Sequence, residues 1–420
     1  MIREYRREGM VLSIAIMIIK MIEVVNYDEL SKLMILLTII IFLMVFMMGT
    51  ERVSIWEMIT IILLELILLR IFETNNYIEF YIFYELSMIL MIYIIGIKGK
   101  RLERIKATTY LVMYTIIGSV MMLIGIITIY SLTGTLSIVE TREYVINTNI
   151  GRLIILGFII SLSVKVLIFP VHIWLLQAHV EALVKGSVIL AAIMLKIGGY
   201  GLIRLCIMTI LEGVYYWQPL LITLSVISII YSGLITIRQI DIKRLIAYSS
   251  ISHMGIVIIG ISSMTTIGIK AGIMMMIGHG ITSTLMFMLA GTIYDQIHTR
   301  IIFEIRGLAK FMLIYSIIFT LTMMGNISIL PTINFTSEIM ILILIYSYSK
   351  IIGITITLTI VISAIYSMWI LNRIIYGREI RKDIILQDIS KNEFYPSVIL
   401  LAGMILLGIR PIVSDIIDIL

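Results

Sequence analysis

Residues 152–170 read RLIILGFIISLSVKVLIFP, and residues 171–182 continue VHIWLLQAHVEA. The first of these is an apolar run of membrane-spanning length, since a hydrocarbon core about 30 Å thick takes roughly 20 apolar residues. It carries Lys165 close to its end and meets Pro170 five residues later. An ionised side chain at mid-bilayer costs about 2.5–3.5 kcal/mol even on the mildest scale, so it normally faces a partner, a cavity or a pathway. Proline withholds an N–H and breaks the helical ladder. A charge beside a broken helix is the construction of transporters whose unwound backbone lines a polar cavity. The alternative is that Pro170 merely ends a span.

Working outward, the whole chain has the same character. Of its 420 residues 60% are hydrophobic and 14% charged, with a mean hydropathy of +1.10, against about 45–50% apolar and about 25% charged in soluble domains. Apolar runs lie near residues 9–26, 33–49, 54–72, 77–97, 106–131, 152–169, 184–206, 218–237, 242–261, 267–293, 310–347, 351–371 and 394–409. The expectation is an all-α polytopic membrane protein of about 13 transmembrane helices, the first short and polar enough to lie in the interface instead.

Charge gives an independent reading. If every run crosses, the loops after the fourth, eighth, tenth and twelfth share a side with the N-terminus. Those are the basic loops: Lys98, Lys100, Arg101, Arg104 and Lys106; Arg238, Lys243 and Arg244; Arg300, Arg306 and Lys310; Arg373, Arg378, Arg381 and Lys382. Arg3, Arg6 and Arg7 add to them, while the opposite loops hold Asp28 and Glu29, Glu140 and Glu143, and Glu212. The positive-inside rule then places the N-terminus on the cytoplasmic or matrix side and the C-terminus, with Asp415 and Asp418, outside.

Several function classes are excluded. The net charge of +6 sits in short loops as a topology signal, so no nucleic-acid partner is expected. A single cysteine, Cys206, leaves no disulfide and no multi-cysteine metal or iron–sulfur site. No Gly-rich phosphate cradle stands in the right context; Gly198-Gly199-Tyr200-Gly201 lies late in a span, where small residues permit close helix packing. The basic N-terminal end lacks a cleavage pattern and is expected to be retained.

Glu85, Lys165, Lys196, His253, His279 and Glu338 fall well inside apolar runs. A charge pair at about 4 Å in an effective dielectric of about 20 is worth roughly 4 kcal/mol, enough to switch Lys165 between charged and neutral if Glu85 moves toward or away from it. Ser249, Ser252 and His253, and again His279, Thr282 and Ser283, put hydroxyls and imidazole on one helix face. Such a face can hold water; alternatively, the hydroxyls bond their own backbone. Glu57, Glu65 and Arg70 also lie in or near a span, where structural pairing explains them as well as function does.

These residues sit in recognisable motifs. The stretch Phe169–Ala182, continuing through Gly186-Ser187 to Leu195–Gly201, is joined by Arg238–Lys243 leading to Ala247–Met254, by Gly278–Ser283, and by Pro331–Asn334 leading to Glu338. From about residue 80 onward the chain closely resembles the subunit 4 family of mitochondrial NADH:ubiquinone oxidoreductase, respiratory complex I; the Ala-His-x-Glu-Ala element separates that family from the antiporter-like subunits 2 and 5. The resemblance implies an antiporter-like fold of inverted repeats with two discontinuous helices and a polar axis along the membrane. By position it implies proton-translocating roles for Glu85 as acidic partner, Lys165 on the first broken helix, Lys196 as bridging lysine, His253 and His279 as central histidines, and Glu338 as terminal acid.

The resemblance further implies a mitochondrial inner-membrane location and a domain order of N-terminal helices (1–76), antiporter-like core (77–377) and C-terminal loop with the last helix (378–420). Partners would be other membrane-arm subunits, especially subunits 2 and 5, accessory subunits, and phospholipids, cardiolipin among them. No cofactor is expected on this chain; NADH, FMN, iron–sulfur clusters and ubiquinone belong to other subunits. The sequence departs from the family at Leu176 and Leu183, usually proline, and at Lys185, usually small and apolar. Its N-terminal region is shorter than usual and its thirteen spans fall one below the family's fourteen, which fits the loss of the first helix. Two other readings compete: a subunit of a multisubunit sodium/proton antiporter, and a structural subunit whose charges only tether helices.

Overall fold

The computed structural model describes residues 2–23, 27–48, 54–98, 103–142, 148–377 and 386–410. Lys100, Arg101, Glu143, Arg378, Arg381, Lys382, Asp415 and Asp418 lie outside the described residues, as do the side chains of Arg3, Arg6, Arg7 and Lys98.

The described chain is helical. Helices α1 (Ile2–Glu23), α2 (Glu29–Met47) and α3 (Ile55–Glu73) lead into α4 (Tyr77–Lys98) and α5 (Arg104–Thr133). A one-turn helix α6 (Ile138–Thr141) precedes α7 (Thr148–Val166) and α8 (Ile173–Glu181). Next come α9 (Val184–Ile189) and α10 (Leu195–Gly201), with π-helical segments Leu190–Met194 between them and Leu202–Ile207 after. The second half holds α11 (Leu211–Ile237), α12 (Ile242–Ser262), α13 (Thr266–Ile297), α14 (Leu313–Asn326), α15 (Ile333–Tyr348), α16 (Lys350–Ile374) and α17 (Lys391–Ile409). Capping fixes several starts: Asp241 accepts from the Lys243 N–H at 2.9 Å, and Thr265 from the Gly268 N–H at 3.1 Å, each meeting a donor the first turn leaves unpaired.

Ten described helices are long and apolar enough to cross a membrane, fewer than the expected thirteen. The reasons are local. Glu57, Glu65, Arg70 and Glu73 dilute α3, the apolar part of α1 is only Val11–Lys20, and the run expected at 310–347 divides into the short helices α14 and α15. Helix α13, apolar on every face, lies at the centre with nearly its whole length buried, as such helices must.

Loops assigned to one side by charge are gathered at one end. The 238–241 loop pairs with 300–302 through Ile242 N–H to the Arg300 carbonyl (3.1 Å) and Ile302 N–H to the Ile240 carbonyl (2.9 Å). Arg300 Nη1 also donates to the Val180 carbonyl. At the other end Tyr77 N–H bonds the Leu136 carbonyl at 3.1 Å, and Arg204 joins Asp28 and Asn75.

Two helices are discontinuous, and the breaks are built alike. Helix α7 stops at Val166, Leu167 takes a left-handed φ of 76°, and Pro170 follows three residues on. Helix α14 stops at Asn326, Ser328 takes φ 63°, and Pro331 follows at the same interval. In each break the second residue of the next helix donates to a carbonyl three residues before the left-handed position; among the described residues the Val164 carbonyl has no backbone donor after the helix stops, whereas the Gly325 carbonyl also accepts the Ser328 N–H at 3.2 Å. Trp174 Nε1 donates to the Val164 carbonyl at 3.0 Å, and Asn334 Nδ2 to the Gly325 carbonyl at 3.0 Å. Pro170 therefore interrupts a helix and does not simply end one.

Candidate functional site: a buried polar axis

Lys165 and Lys196 are completely buried, and His253, His279 and Glu338 are almost so. Four of the six expected residues form one connected run. Lys196 Nζ donates to the Ala191 carbonyl at 2.5 Å, inside the π-helical segment before it, and lies 2.9 Å from His279 Nδ1. The His279 and His253 rings are 5.7 Å apart between centroids, and His253 Nδ1 stands 3.3 Å from Glu338 Oε1. Packing makes these approaches possible: a Cβ on Gly278 would fall 2.2 Å from Asn334 Oδ1, so only glycine lets α13 bring His279 this close to α15.

The other two residues stand differently. Lys165 Nζ lies 4.0 Å from the centre of the Tyr84 ring and donates to Ser87 Oγ at 3.3 Å. Tyr84 is itself held by donating to the Ser161 carbonyl at 3.1 Å. Glu85 faces Lys165 at electrostatic range, without an ion pair within 4 Å among the described residues. Its half-buried side chain keeps one oxygen, Oε1, enclosed without a hydrogen-bond partner.

The structure also decides between alternatives. Ser249, Ser252, Thr282 and Ser283 donate to carbonyls of their own helices at 2.8–3.3 Å, so these hydroxyls are backbone-bonded. Of the α3 charges, Arg70 pairs with Glu73 at 3.3 Å, and Glu73 also holds Lys20 at 2.6 Å, whereas Glu65 is fully buried with neither carboxylate oxygen hydrogen-bonded among the described residues. The glycines near Tyr200 serve packing, because a Cβ on Gly198 would meet Val166 Cγ2 at 2.3 Å and the Leu162 carbonyl at 2.9 Å.

Sequence reasoning missed several participants. Asn326 bonds His253 Nε2 at 3.2 Å; its only sequence signal is an amide inside a span, five residues before Pro331. His179, fully buried and stacked on Phe287 at 4.6 Å, faces Lys196 and Lys243; it lay in the quoted motif without a role. Lys243, read as a loop charge, is buried and donates to the Ala182 carbonyl at 2.8 Å. At the basic-loop end a cavity of about 260 Å³ is lined by Glu103, His172, Gln177, Glu181 and Arg244. Among the described residues no three His, Cys, Asp or Glu side chains converge as metal donors.

A polytopic helical protein with paired helix breaks and a buried chain of lysines, histidines and an acid belongs to the antiporter-like class of membrane subunits. Comparison with known proteins agrees. The family described as "NADH:quinone oxidoreductase/Mrp antiporter, TM" matches residues 74–363. NADH-ubiquinone oxidoreductase chain 4 of Dictyostelium discoideum is 40% identical over 363 residues, 85% of this chain and 67% of that one. A chain of respiratory complex I from Thermus thermophilus superposes with a TM-score of 0.86 at 23% identity, covering 93% of this chain and 84% of its own. One from the Mrp complex of Dietzia gives 0.84 at 17%, covering 93% and 82%. This chain belongs to the NADH:quinone oxidoreductase/Mrp antiporter membrane-subunit family, and within it to the chain 4 group of NADH-ubiquinone oxidoreductase.

Proposed function

We propose that the chain is a proton-translocating membrane-arm subunit of respiratory complex I, driven by electron transfer from NADH to ubiquinone elsewhere in the complex. One observation carries this: the contact run Lys196–His279–His253–Glu338, buried across four helices. Such groups are retained in a low-dielectric interior against a cost of about 2.5–3.5 kcal/mol each on the mildest scale, which proton relay accounts for and passive tethering does not. Glu85 and Lys165 act as a second, looser pair whose separation sets the charge on the lysine.

Residues 77–377 form the translocating core, with 1–76 and 378–420 flanking it. The N-terminus faces the matrix and the C-terminus the intermembrane space of a mitochondrial inner membrane, following the basic loops. NADH, FMN, the iron–sulfur clusters and ubiquinone are held by other subunits, and this chain has no redox site of its own. Antiporter-like subunits 2 and 5, accessory subunits and phospholipids are its neighbours. Identity of 40% to a chain 4 relative favours this reading over a sodium/proton antiporter, whose Mrp representative shares the fold at 17%.

The test is Lys196→Ala in assembled complex, reading complex content and protons moved per electron together. Assembled complex with a lowered ratio supports translocation; normal pumping in reduced amounts of complex supports a structural role instead.

A further inference from the structure

We infer that Asn326 is a positioning residue: it fixes which nitrogen of His253 bears hydrogen, and thereby makes His253 and Glu338 hold one mobile proton between them. The inference rests on the translocation reading above and assigns a chemical form to one link of it. The groups facing His253 are Glu338 from α15, Asn326 from α14 and His279 from α13, with Tyr366 of α16 behind Asn326.

Asn326 Nδ2 donates to the Tyr366 hydroxyl oxygen, 3.4 Å away. Nδ2 also donates to Ser367 Oγ at 2.9 Å. With both amide hydrogens used, the atom turned to His253 is Oδ1, an acceptor, at 3.2 Å from Nε2.

An acceptor there requires hydrogen on Nε2, and a neutral imidazole carries only one. Nδ1 is then a bare lone pair, enclosed without a hydrogen bond and 3.3 Å from Glu338 Oε1. An unpaired acceptor held that near a carboxylate is relieved by a single proton on the pair. It sits on Oε1, giving imidazole and carboxylic acid, or on Nδ1, giving imidazolium and carboxylate. Passing between the two forms breaks one O–H bond and makes one N–H bond, with Nε2 unchanged. Both members of the pair are 5% exposed or less, and Asn326 only 2%, so water does not replace the amide in this duty.

The experiment uses assembled complex and reads complex content together with protons per electron. Asn326→Leu, of similar volume but without an acceptor, is expected to lower translocation by about tenfold, the size usual when a partner orienting a histidine is removed. Asn326→Asp, which restores an acceptor, is expected to recover most of the loss. The inference falls if the leucine variant pumps normally, or if the aspartate variant is equally impaired at equal content. Glu338→Gln separates the two levels: normal pumping there overturns the translocation reading, whereas loss there with normal Asn326→Leu overturns only the role of Asn326.

Should the leucine variant fail to assemble, Tyr366→Phe with Ser367→Ala frees the amide to turn. This double change is expected to impair pumping in the natural background and to add nothing in the Asn326→Asp background. Equal added loss in both backgrounds would make the hydroxyls structural and the inference wrong.

Discussion

At the first helix break the charged group precedes the interruption: Lys165 ends α7, rests on the Tyr84 ring and the Ser87 hydroxyl, and among the described residues meets no carboxylate within ion-pair distance. At the second it follows: Glu338 lies in the second turn of α15 in contact with His253, which is held in turn by Asn326. The backbone of the two breaks is closely matched, with a left-handed residue three before each proline and a carbonyl bonded by the second residue of the next helix. One construction thus holds a loosely coupled cation at one site and a tightly coupled acid at the other. Backbone geometry creates a polar place in the membrane; the side chains packed around it decide whether charge there is shared or isolated.

The largest effect is expected at the group that anchors the tight half. Lys196→Ala removes the only lysine nitrogen touching His279 among the described residues, and proton pumping by the assembled complex should fall by about a hundredfold, within the range for a positioned proton-transfer group. Pumping by this variant close to normal would mean that the contact run is not the route.

A sharper test sets the halves against each other. Glu338→Gln should lower the proton-to-electron ratio by about tenfold or more, and Glu85→Gln by clearly less, because Glu85 acts on Lys165 across a gap. Equal losses would show that the gap closes during turnover and that the two halves are equally coupled.

The likeness of the breaks can be tested through stability. Trp174→Phe leaves the Val164 carbonyl unpaired, at about 1–3 kcal/mol, whereas Asn334→Leu leaves the Gly325 carbonyl its Ser328 N–H, so the midpoint of thermal inactivation of the complex should drop more in the first. Equal drops would show that the Ser328 contact does not stand in for the amide. The smallest effect is expected from Ser87→Ala, which removes one neutral partner of Lys165 but leaves the Tyr84 ring; a net hydrogen bond worth about 0.5–1.5 kcal/mol predicts severalfold slower pumping at unchanged complex content.

Much of this was readable beforehand. Lysines and acids inside apolar runs are conspicuous because the membrane makes them expensive, and Pro170 and Pro331, each near such a charge, pointed to broken ladders, whereas Pro219 and Pro396 lie inside helices that continue through them. The basic loops identified themselves as one set, and the structure gathers those it describes at one end. Other features were invisible. The sequence left the hydroxyls beside His253 and His279 either to hold water or to bond their own backbone, and the structure shows their hydrogens given to carbonyls of their own helices. Glu57, Glu65 and Arg70 offered structural pairing and function alike, and the structure pairs Arg70 with Glu73 while Glu65 stays enclosed without a hydrogen bond among the described residues. Asn326 and His179 carried no energetic alarm, since an amide or a neutral imidazole is tolerated in many buried settings.

The order of residues by itself determined that this chain is a membrane-embedded helical bundle with six ionisable groups in apolar runs, and marked Pro170 and Pro331 as places for a helix to break or end, because single-residue transfer energies and proline chemistry act locally. Tertiary structure alone decided which of those groups meet. Lys196 and His279 are 83 positions apart; a π-helical turn shifts the phase of α10 away from the 3.6-residue period, and glycine sets how near α13 comes. Distances of that kind depend on helix crossings and local widening, and no periodicity in the chain encodes them.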